Sequence, residues 1–317
     1  MASIVEVITH ELAKNMRDSY PGISWHEIVK YNKKYLSRYQ DNLDLCGGAD
    51  LLEVHKVRFK NGDGSELRDK RYPAHMKAIR SSSAFAVNLI GNTETVSIPE
   101  NSLFPQGEYA IHYEEKGLTI HTLSEEGVPT PHVANIDVLL EQSNTCVYIE
   151  VKLLEPFNFI NKKRNSSYTD KGNYSEKLPP SIINAFCEVF AESQKEQFRA
   201  FDACQMFKHL LGILQTENGD LRELKGKTIY LVNCHWAFED IRLERLNLSA
   251  RNIAWLEKIM TEYSNAKGWY EQNVRKIADV IEKEKDCKIQ IVNLNHFEML
   301  TALGKENNEY MQRYELR

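Results

Sequence analysis

Asp137 and the tripeptide Glu150-Val151-Lys152 are the residues of this sequence whose types and spacing could do chemistry. Two carboxylates placed side by side repel each other, and a protein tolerates this most easily where a cation lies between them. Carboxylate oxygens suit Mg²⁺, which keeps several waters and shares its shell with substrate phosphate. A lysine one step further could position or help deprotonate a water, or neutralise charge that develops on phosphate. The chemistry to expect is therefore metal-dependent attack of water on a phosphate ester.

A β-hairpin would bring these residues together. The segments Ile136–Glu141 and Cys146–Leu153 alternate, are rich in β-branched residues and are joined by a polar turn, which is typical of paired strands. If the residues that flank the turn pair, Asp137 stands opposite Glu150, and Lys152 shares the face of Glu150 because side chains alternate along a strand. The opposite face then carries an aliphatic layer of Ile136, Val138, Leu140, Val147, Ile149 and Val151. A shift of the strand pairing by one residue would destroy both the cluster of ionisable residues and the aliphatic layer.

The pattern Asp137…Glu150-Val151-Lys152 resembles the D…(D/E)xK signature of the PD-(D/E)xK, or restriction endonuclease-like, nuclease superfamily, and of a bacterial family within it. The proline that often precedes the aspartate is absent, since Ile136 takes its place. Two further segments, 81–88 and 205–212, support the resemblance without being chemically specific. The resemblance implies an α/β fold with a restriction endonuclease-like core. In that core a central mixed sheet is flanked by helices in the order αβββαβ, and we expect N-terminal and C-terminal helical additions.

The resemblance also implies roles for individual residues. Asp137 and Glu150 would bind Mg²⁺ with the Val151 carbonyl as a further oxygen ligand, and Mn²⁺ would be able to substitute. Lys152 would position or help activate the water. A helix after the Glu-x-Lys strand often points a glutamine and a lysine at the active site, and Gln205 and Lys208 match that role. An exposed polar helix face is the alternative interpretation of these two residues.

One acidic residue of the superfamily pattern has no clear counterpart. The helix before the hairpin often supplies it, but the helix predicted over 74–90 contains no Asp or Glu. Glu27, Glu114 and Glu115 could take its place, and the sequence favours none of them. The gap keeps open a function of another class, a catalytically inactive nuclease fold that binds nucleic acid. An enzyme acting on sugar phosphates or nucleotides with the same carboxylates is a third hypothesis.

The segment 157–180 is long, polar and irregular, and it follows the proposed metal site directly. Its candidates for contact with nucleic acid are Lys162, Lys163, Arg164 and Lys171, with aromatic residues between them. Basic and aromatic side chains together suit phosphate contact and base stacking. A mobile insert is the alternative. We expect a nucleic-acid partner, DNA before RNA, and an endonuclease before an exonuclease, in restriction, host defence or repair.

The remaining elements follow from periodicity and turn signals. Helices are predicted over 3–17, 24–40, 74–90, 181–214 with a break near Ser193, 250–285 and His296–Leu303. Strands are predicted at Leu51–Lys60, Glu108–Glu115, Leu118–Thr122, Lys227–His235 and Lys288–Asn293. We divide the chain into an N-terminal extension, residues 1–72, and a nuclease-like domain, residues 73–317.

Composition narrows the class of protein. With 317 residues, 42% apolar and 27% charged, the chain can bury a substantial core as a globular protein. No run of about 18 apolar residues and no signal-peptide pattern is present, so we expect a cytoplasmic protein without a membrane partner. Six scattered cysteines indicate reduced thiols rather than a zinc site. A net charge of −5 restricts any phosphate contact to a local basic patch, and a homodimer remains open.

Overall fold

The computed structural model describes residues 3–19, 25–28, 33–36, 38–43, 50–61, 66–69, 73–100, 102–157, 166–196, 200–238, 246 and 248–315. Within these residues the protein has seven α-helices and two β-sheets. The helices are α1 Ile4–Ser19, α2 Glu53–Asn61, α3 Ser82–Ile90, α4 Pro180–Ser193, α5 Ala203–Ile213, α6 Ala250–Lys285 and α7 His296–Ala302. The strands are β1 Trp25–Ile28, β2 Lys33–Leu36, β3 Thr95–Ile98, β4 Gly107–Leu123, β5 Pro129–Gln142, β6 Thr145–Lys152, β7 Thr228–His235 and β8 Lys288–Asn295.

A six-stranded mixed sheet forms the centre of the fold, in the order β3-β4-β5-β6-β7-β8. Strands β3 to β6 pair antiparallel, whereas β6, β7 and β8 run parallel. Strand β6 is buried from Thr145 to Val151, as expected for an apolar strand at the centre of a covered sheet. The predicted α/β class with a central mixed sheet and flanking helices is therefore confirmed.

The predicted hairpin and its register are confirmed. Strands β5 and β6 pair from Gln142↔Thr145 to Val138↔Ile149, the register in which Asp137 comes level with Glu150. The aliphatic layer on the other face is at most 1% exposed at Ile136, Val138, Leu140, Val147, Ile149 and Val151. One choice of register thus separates the apolar residues from the ionisable ones, as the alternation requires.

Helix α5 packs unusually closely on the sheet, against β4 and β5. The contact lies where Gly117 of β4 meets Gly212 of the helix. A Cβ atom on Gly117 would lie 1.9 Å from the carbonyl oxygen of Gly212, so only glycine fits there. Glycine inside a strand commonly marks such a close backbone approach. This contact fixes the position of the helix that carries Gln205 and Lys208.

Two predicted elements are wrong. Residues 51–60 form mainly helix α2 rather than a strand, because His55 and Phe59, four residues apart, pack one helix face against Tyr113. The region 24–40 contains strands β1 and β2 rather than one helix. Cross-strand pairing here outweighs helix propensity, and Tyr35 also bridges to Ala78.

The other elements differ from prediction mainly at their ends. Helix α3 begins only at Ser82, because the Ser81 hydroxyl accepts a hydrogen bond from the Ala84 N–H (3.1 Å) and caps the helix there. Strand β4 continues through the turn predicted at Lys116-Gly117. The break between α4 and α5, the buried strand β7, helix α6 and the final strand and helix are confirmed.

The apolar core extends from Ile4 of α1 to Tyr314 near the end of the described chain. The amide of Asn15 donates to the Glu315 carbonyl (3.0 Å), which ties the first helix to the C-terminal segment. The five cysteines in the described ranges are free thiols, as predicted. Among the helices given above, none combines the length and apolar character that a membrane crossing requires.

Candidate active site

Three carboxylates lie level with one another on three neighbouring strands: Glu114 on β4, Asp137 on β5 and Glu150 on β6. Their positions follow from the flanking pairs, which are Tyr113↔Val138 and Glu115↔Ile136 for the first two strands and Val138↔Ile149 for the last two. Residues directly opposite each other on antiparallel strands project to the same face of a sheet. The sheet therefore gathers these three acids in one row, which we call the carboxylate row.

Glu150 is the most strongly held member of the carboxylate row. Its Oε1 accepts hydrogen bonds from the Lys152 ammonium and from Gln205 Nε2 (2.7 Å), and its Oε2 lies 2.8 Å from His209 Nε2. Burial alone would raise the pKa of Glu150, but Lys152 and His209 outweigh it and hold the pKa at about 2. Burial would likewise lower the pKa of Lys152, but Glu150, Glu155 and Asp137 keep it above its ordinary value. Glu150 and Lys152 therefore form an ion pair in which Glu150 is buried and Lys152 is partly exposed.

The pKa of Asp137 is shifted in the opposite direction to that of Glu150. Its Oδ2 accepts a hydrogen bond from the Val151 N–H (2.6 Å), which orients the carboxyl group towards β6. Burial raises the pKa of Asp137 well above its usual range, and the negative charge of Glu150 raises it further. The pKa values of the two neighbouring carboxyls are thus separated in opposite directions. A divalent cation between them would remove the cause of that separation.

Glu114 is the member of the carboxylate row that the sequence could not rank. Its backbone has φ = 54°, a left-handed conformation that is rare for residues other than glycine and clusters at functional sites. The side chain is buried and accepts a hydrogen bond from the Asn135 amide. Glu115 instead forms ion pairs with Arg58 (3.3 Å) and Arg222 (2.7 Å), and the side chain of Glu27 lies outside the described residues. Of the three proposed suppliers of a further acid, Glu114 is the one placed beside Asp137.

Replacing Glu114 with glutamine should stabilise the metal-free protein at alkaline pH. Burial raises the pKa of Glu114 from 4.5 to about 7, so the folded protein binds a proton here that the unfolded chain has released. This contribution to stability is complete below pH 4.5 and is lost as the pH rises towards 7. Glutamine stays neutral, and its advantage at pH 8 should be on the order of 3 kcal/mol.

Urea unfolding at pH 5 and pH 8, in the presence of EDTA, measures this effect. Glu125→Gln, at an exposed position on the turn between β4 and β5, serves as the control and should change stability little at either pH. Equal stability of Glu114→Gln and wild type at pH 8 would show that Glu114 is ionised without cost in the folded protein.

The carboxylate row fits a hydrated magnesium ion in its chemistry. No group of three His, Cys, Asp or Glu side chains in the described residues is arranged to hold a metal ion by itself. Mg²⁺ does not require one, since it is commonly bound through one or two carboxylates plus waters and substrate phosphate. Within the same residues, Glu150 Oε2 makes no hydrogen bond of regular geometry despite its contact with His209, so it keeps acceptor capacity for an ion.

The predicted site residues fall into two groups. Asp137, Glu150, Lys152 and Gln205 come together, and Val151 joins them through its backbone N–H. Lys208 points elsewhere, with its ammonium 5.0 Å from the centre of the Tyr168 ring. It lies one residue before His209 on α5, and it is His209 that reaches Glu150.

The proposed nucleic-acid-binding segment is described only in part. Lys162, Lys163 and Arg164 lie outside the described residues, and Lys171 is exposed in a short 3₁₀ turn, Lys171–Asn173. The aromatic residues described in this segment belong to the core and are at most 6% exposed: Phe157, Tyr168 and Tyr174. Their rings pack inside the protein, so these three residues do not offer the base stacking that the composition of the segment suggested.

A cleft opens beside Lys152, at the carboxyl ends of the parallel strands β6 and β7. Its volume is about 110 Å³, and its lining includes Lys152, Glu155, Phe201, Gln205, Asn233 and Tyr263. Ligands of open α/β sheets commonly bind outside the carboxyl ends of the strands. The cleft gives solvent and small groups a way to the ammonium of Lys152.

Comparison with known proteins places the chain in a family. The family model described as "Restriction Endonuclease associating with ARP" matches residues 8–297. The protein belongs to this restriction endonuclease family. No curated protein and no solved structure matches the chain.

Membership of the restriction endonuclease family confirms the resemblance drawn from the Asp…Glu-x-Lys pattern and implies a nuclease, a hydrolase that acts on nucleic acid. The sequence did not identify His209 as a site residue, and it gave Glu114 only as one of three candidates. His209 lies four residues after Gln205, the helical spacing that puts both on one face, so its position was visible but its contact was not. Glu114 could be ranked only with the register of β4 against β5, which contains an irregularity between Leu118 and Ile120.

Proposed function

We propose that the protein is a magnesium-dependent nuclease that hydrolyses phosphodiester bonds in DNA, as an endonuclease in restriction, host defence or repair. The observation that carries the proposal is the carboxylate row with Lys152 beside it. In chain order the elements are helix α3, strands β3 to β6, helices α4 and α5, and strand β7, so the proposed αβββαβ core would carry β3 as an added edge strand. In this proposal residues 1–72 are an extension that packs on the nuclease domain.

The residues of the site divide the work of hydrolysis. Asp137 and Glu150 would hold Mg²⁺, which when bound polarises the phosphate and lowers the pKa of a water. Lys152, kept protonated by Glu150, lines the cleft and could orient that water or stabilise charge on the phosphate. Gln205 braces Glu150 from α5. Glu114 adds a third acid next to Asp137, suited to accept a proton near neutral pH.

Incubation of purified protein with supercoiled plasmid and with oligonucleotides, in Mg²⁺, Mn²⁺ or EDTA, tests the proposal. Cleavage that requires the divalent ion and yields linear or nicked plasmid is the expected result. Isothermal calorimetry with Mn²⁺ reports ion binding in the absence of any substrate. If the protein binds DNA but shows neither ion binding nor cleavage, the result would support an inactive module that only holds nucleic acid.

The inactive module is the second candidate because Glu150 already has protein partners at both oxygens. A carboxylate whose charge is already balanced by protein groups has less to gain from binding an ion. The two candidates separate in the Mn²⁺ titration, since the module should show no binding heat. Activity on nucleotides or sugar phosphates, with none on polymeric DNA, would indicate the third candidate, a small-substrate enzyme.

Reversing the charge of Lys162, Lys163 and Arg164 should weaken DNA binding at 50–200 mM salt. Each lost phosphate contact reduces the slope of log K against log salt by about 1, so the triple variant should lose affinity and salt dependence together. Fluorescence anisotropy with a labelled duplex, repeated at several salt concentrations, measures both quantities.

A charge-matched control is available at the opposite end of the parallel strands. Lys225, Lys283 and Lys285 lie near the amino ends of β7 and β8, away from the carboxyl ends that hold the cleft. Reversing these three charges changes the net charge equally and should alter DNA binding much less. Equal losses in the two triple variants would attribute the effect to net charge rather than to the segment after β6.

A further inference from the structure

A single helix holds both oxygens of the Glu150 carboxylate. Gln205 and His209 are one turn apart on α5, and their Nε2 atoms lie 2.7 Å from Oε1 and 2.8 Å from Oε2. The side chains of Glu150 and His209 are 2% and 3% exposed, so solvent cannot replace a lost donor easily. Lys152 contacts Oε1 as well, which leaves His209 as the described side chain that contacts Oε2.

We propose that His209 is a positioning residue for Glu150: together with Gln205 it fixes the plane of the carboxylate for ion binding. The inference rests on the proposed function, since the oriented group is the proposed magnesium ligand. A carboxylate offers about four lone-pair sites. Lys152 and Gln205 use those of Oε1, and His209 Nε2 lies against one side of Oε2, so Oε2 keeps a lone-pair site for an ion. Rotation of the carboxylate would exchange these sites and misdirect the free one.

The fold makes this orientation reproducible. Gly212, three residues after His209, packs against Gly117 of β4, and the close contact leaves α5 little freedom to slide or rise from the sheet. At the other end of the helix, the Asp202 carboxylate caps it by accepting from the Gln205 N–H (3.0 Å). Gln205 and His209 thus project from a segment anchored on both sides of them.

A purely structural role is the alternative, because a buried histidine also fills space. Two variants separate these roles. His209→Gln places an amide nitrogen at a similar distance from the backbone and can still donate to Oε2, whereas His209→Leu fills space without a donor. Mutation of a residue that orients a metal ligand typically reduces ion affinity or activity by about 10- to 100-fold. We expect that loss in His209→Leu and near wild-type values in His209→Gln.

Four measurements are needed: the melting temperature, the Kd for Mn²⁺ by calorimetry, kcat and KM for a DNA duplex, and a metal-free crystal structure of His209→Leu. The proposal expects a weaker Mn²⁺ Kd, a lower kcat with little change in KM, and a rotated Glu150 carboxylate. Gln205→Leu combined with His209→Leu should lose less than the product of the single losses, since both hold one group.

The possible failures are distinct. If wild type binds Mn²⁺ and cuts DNA, and His209→Leu does both equally well, the positioning role is overturned while the proposed function stands. If both variants melt earlier but keep the wild-type Kd, His209 is only a core residue. If wild type binds no Mn²⁺ and does not cut, the proposed function falls and the inference with it. An unrotated carboxylate in His209→Leu overturns the inference by itself, whatever the activity.

Discussion

Replacing Lys152 with methionine should abolish cleavage while the protein still binds Mn²⁺, and replacing Asp137 with asparagine should abolish both. Methionine keeps the apolar stem of the lysine and removes the ammonium that contacts Glu150. Both proposed ion ligands remain in that variant, and loss of a neighbouring positive charge does not weaken a cation site. Ion binding and catalysis should therefore separate in Lys152→Met.

The expected losses are large because Lys152 is the residue proposed to orient the attacking water. Proton transfer by a positioned side chain typically contributes 10²- to 10⁴-fold, and we expect a loss of about that size in kcat for Lys152→Met. Asp137→Asn preserves the shape of the carboxyl group and can still accept from the Val151 N–H, so the fold should be retained. Its Mn²⁺ affinity and its kcat should fall together.

A control lysine far from the cleft completes the experiment. Lys283 is exposed near the end of α6, and Lys283→Met should behave as wild type in every assay. Cleavage that survives undiminished in both Lys152→Met and Asp137→Asn would place the chemistry elsewhere. Loss of Mn²⁺ binding in Lys152→Met would contradict the division of roles, since the lysine would then be needed to build the ion site.

Local patterns were sufficient to predict the centre of the site. Alternation in two short strands with a polar turn between them predicted which residues oppose which, and the register Val138↔Ile149 agrees. This worked because a slip of one residue would bury Asp137 and Glu150 in the aliphatic layer. The contact of Gln205 with Glu150 agrees with the resemblance, which implies a helix after the Glu-x-Lys strand that directs a glutamine at the carboxylates.

The remaining parts of the site depend on contacts distant in sequence. Glu114 comes beside Asp137 only through the long pairing of β4 with β5, whose register shifts near Thr119. Helix α2 was wrongly predicted as a strand because its helical face is defined by the contacts of His55 and Phe59 with Tyr113, which is distant in sequence. Local propensity is a weak guide where tertiary packing decides the element.

Replacing Gly117 with alanine should strongly destabilise the protein and loosen the site. The sequence Lys116-Gly117 suggested a turn, but the strand continues there and the glycine serves helix packing. An added Cβ would lie 1.9 Å from the Gly212 carbonyl oxygen, and a backbone atom of a packed helix cannot move aside as a flexible side chain can. Helix α5 would have to rise from the sheet, and it carries both Gln205 and His209.

Overpacking of this kind typically costs about 1–3 kcal/mol and occasionally more, and we expect at least the upper part of that range. In a protein of this size 1 kcal/mol corresponds to roughly 1.5 °C, so the melting temperature should fall by at least about 3–5 °C. The Mn²⁺ Kd should also rise in the folded fraction, because Glu150 loses its support from α5. Gly268→Ala is the matched control: no atom within 4 Å would meet its Cβ, and alanine inside α6 should stabilise by about 1 kcal/mol. If Gly117→Ala has the same melting temperature as wild type, α5 does not depend on this contact. The orientation of the Glu150 carboxylate must then come from the Asp202 cap and the helix core alone.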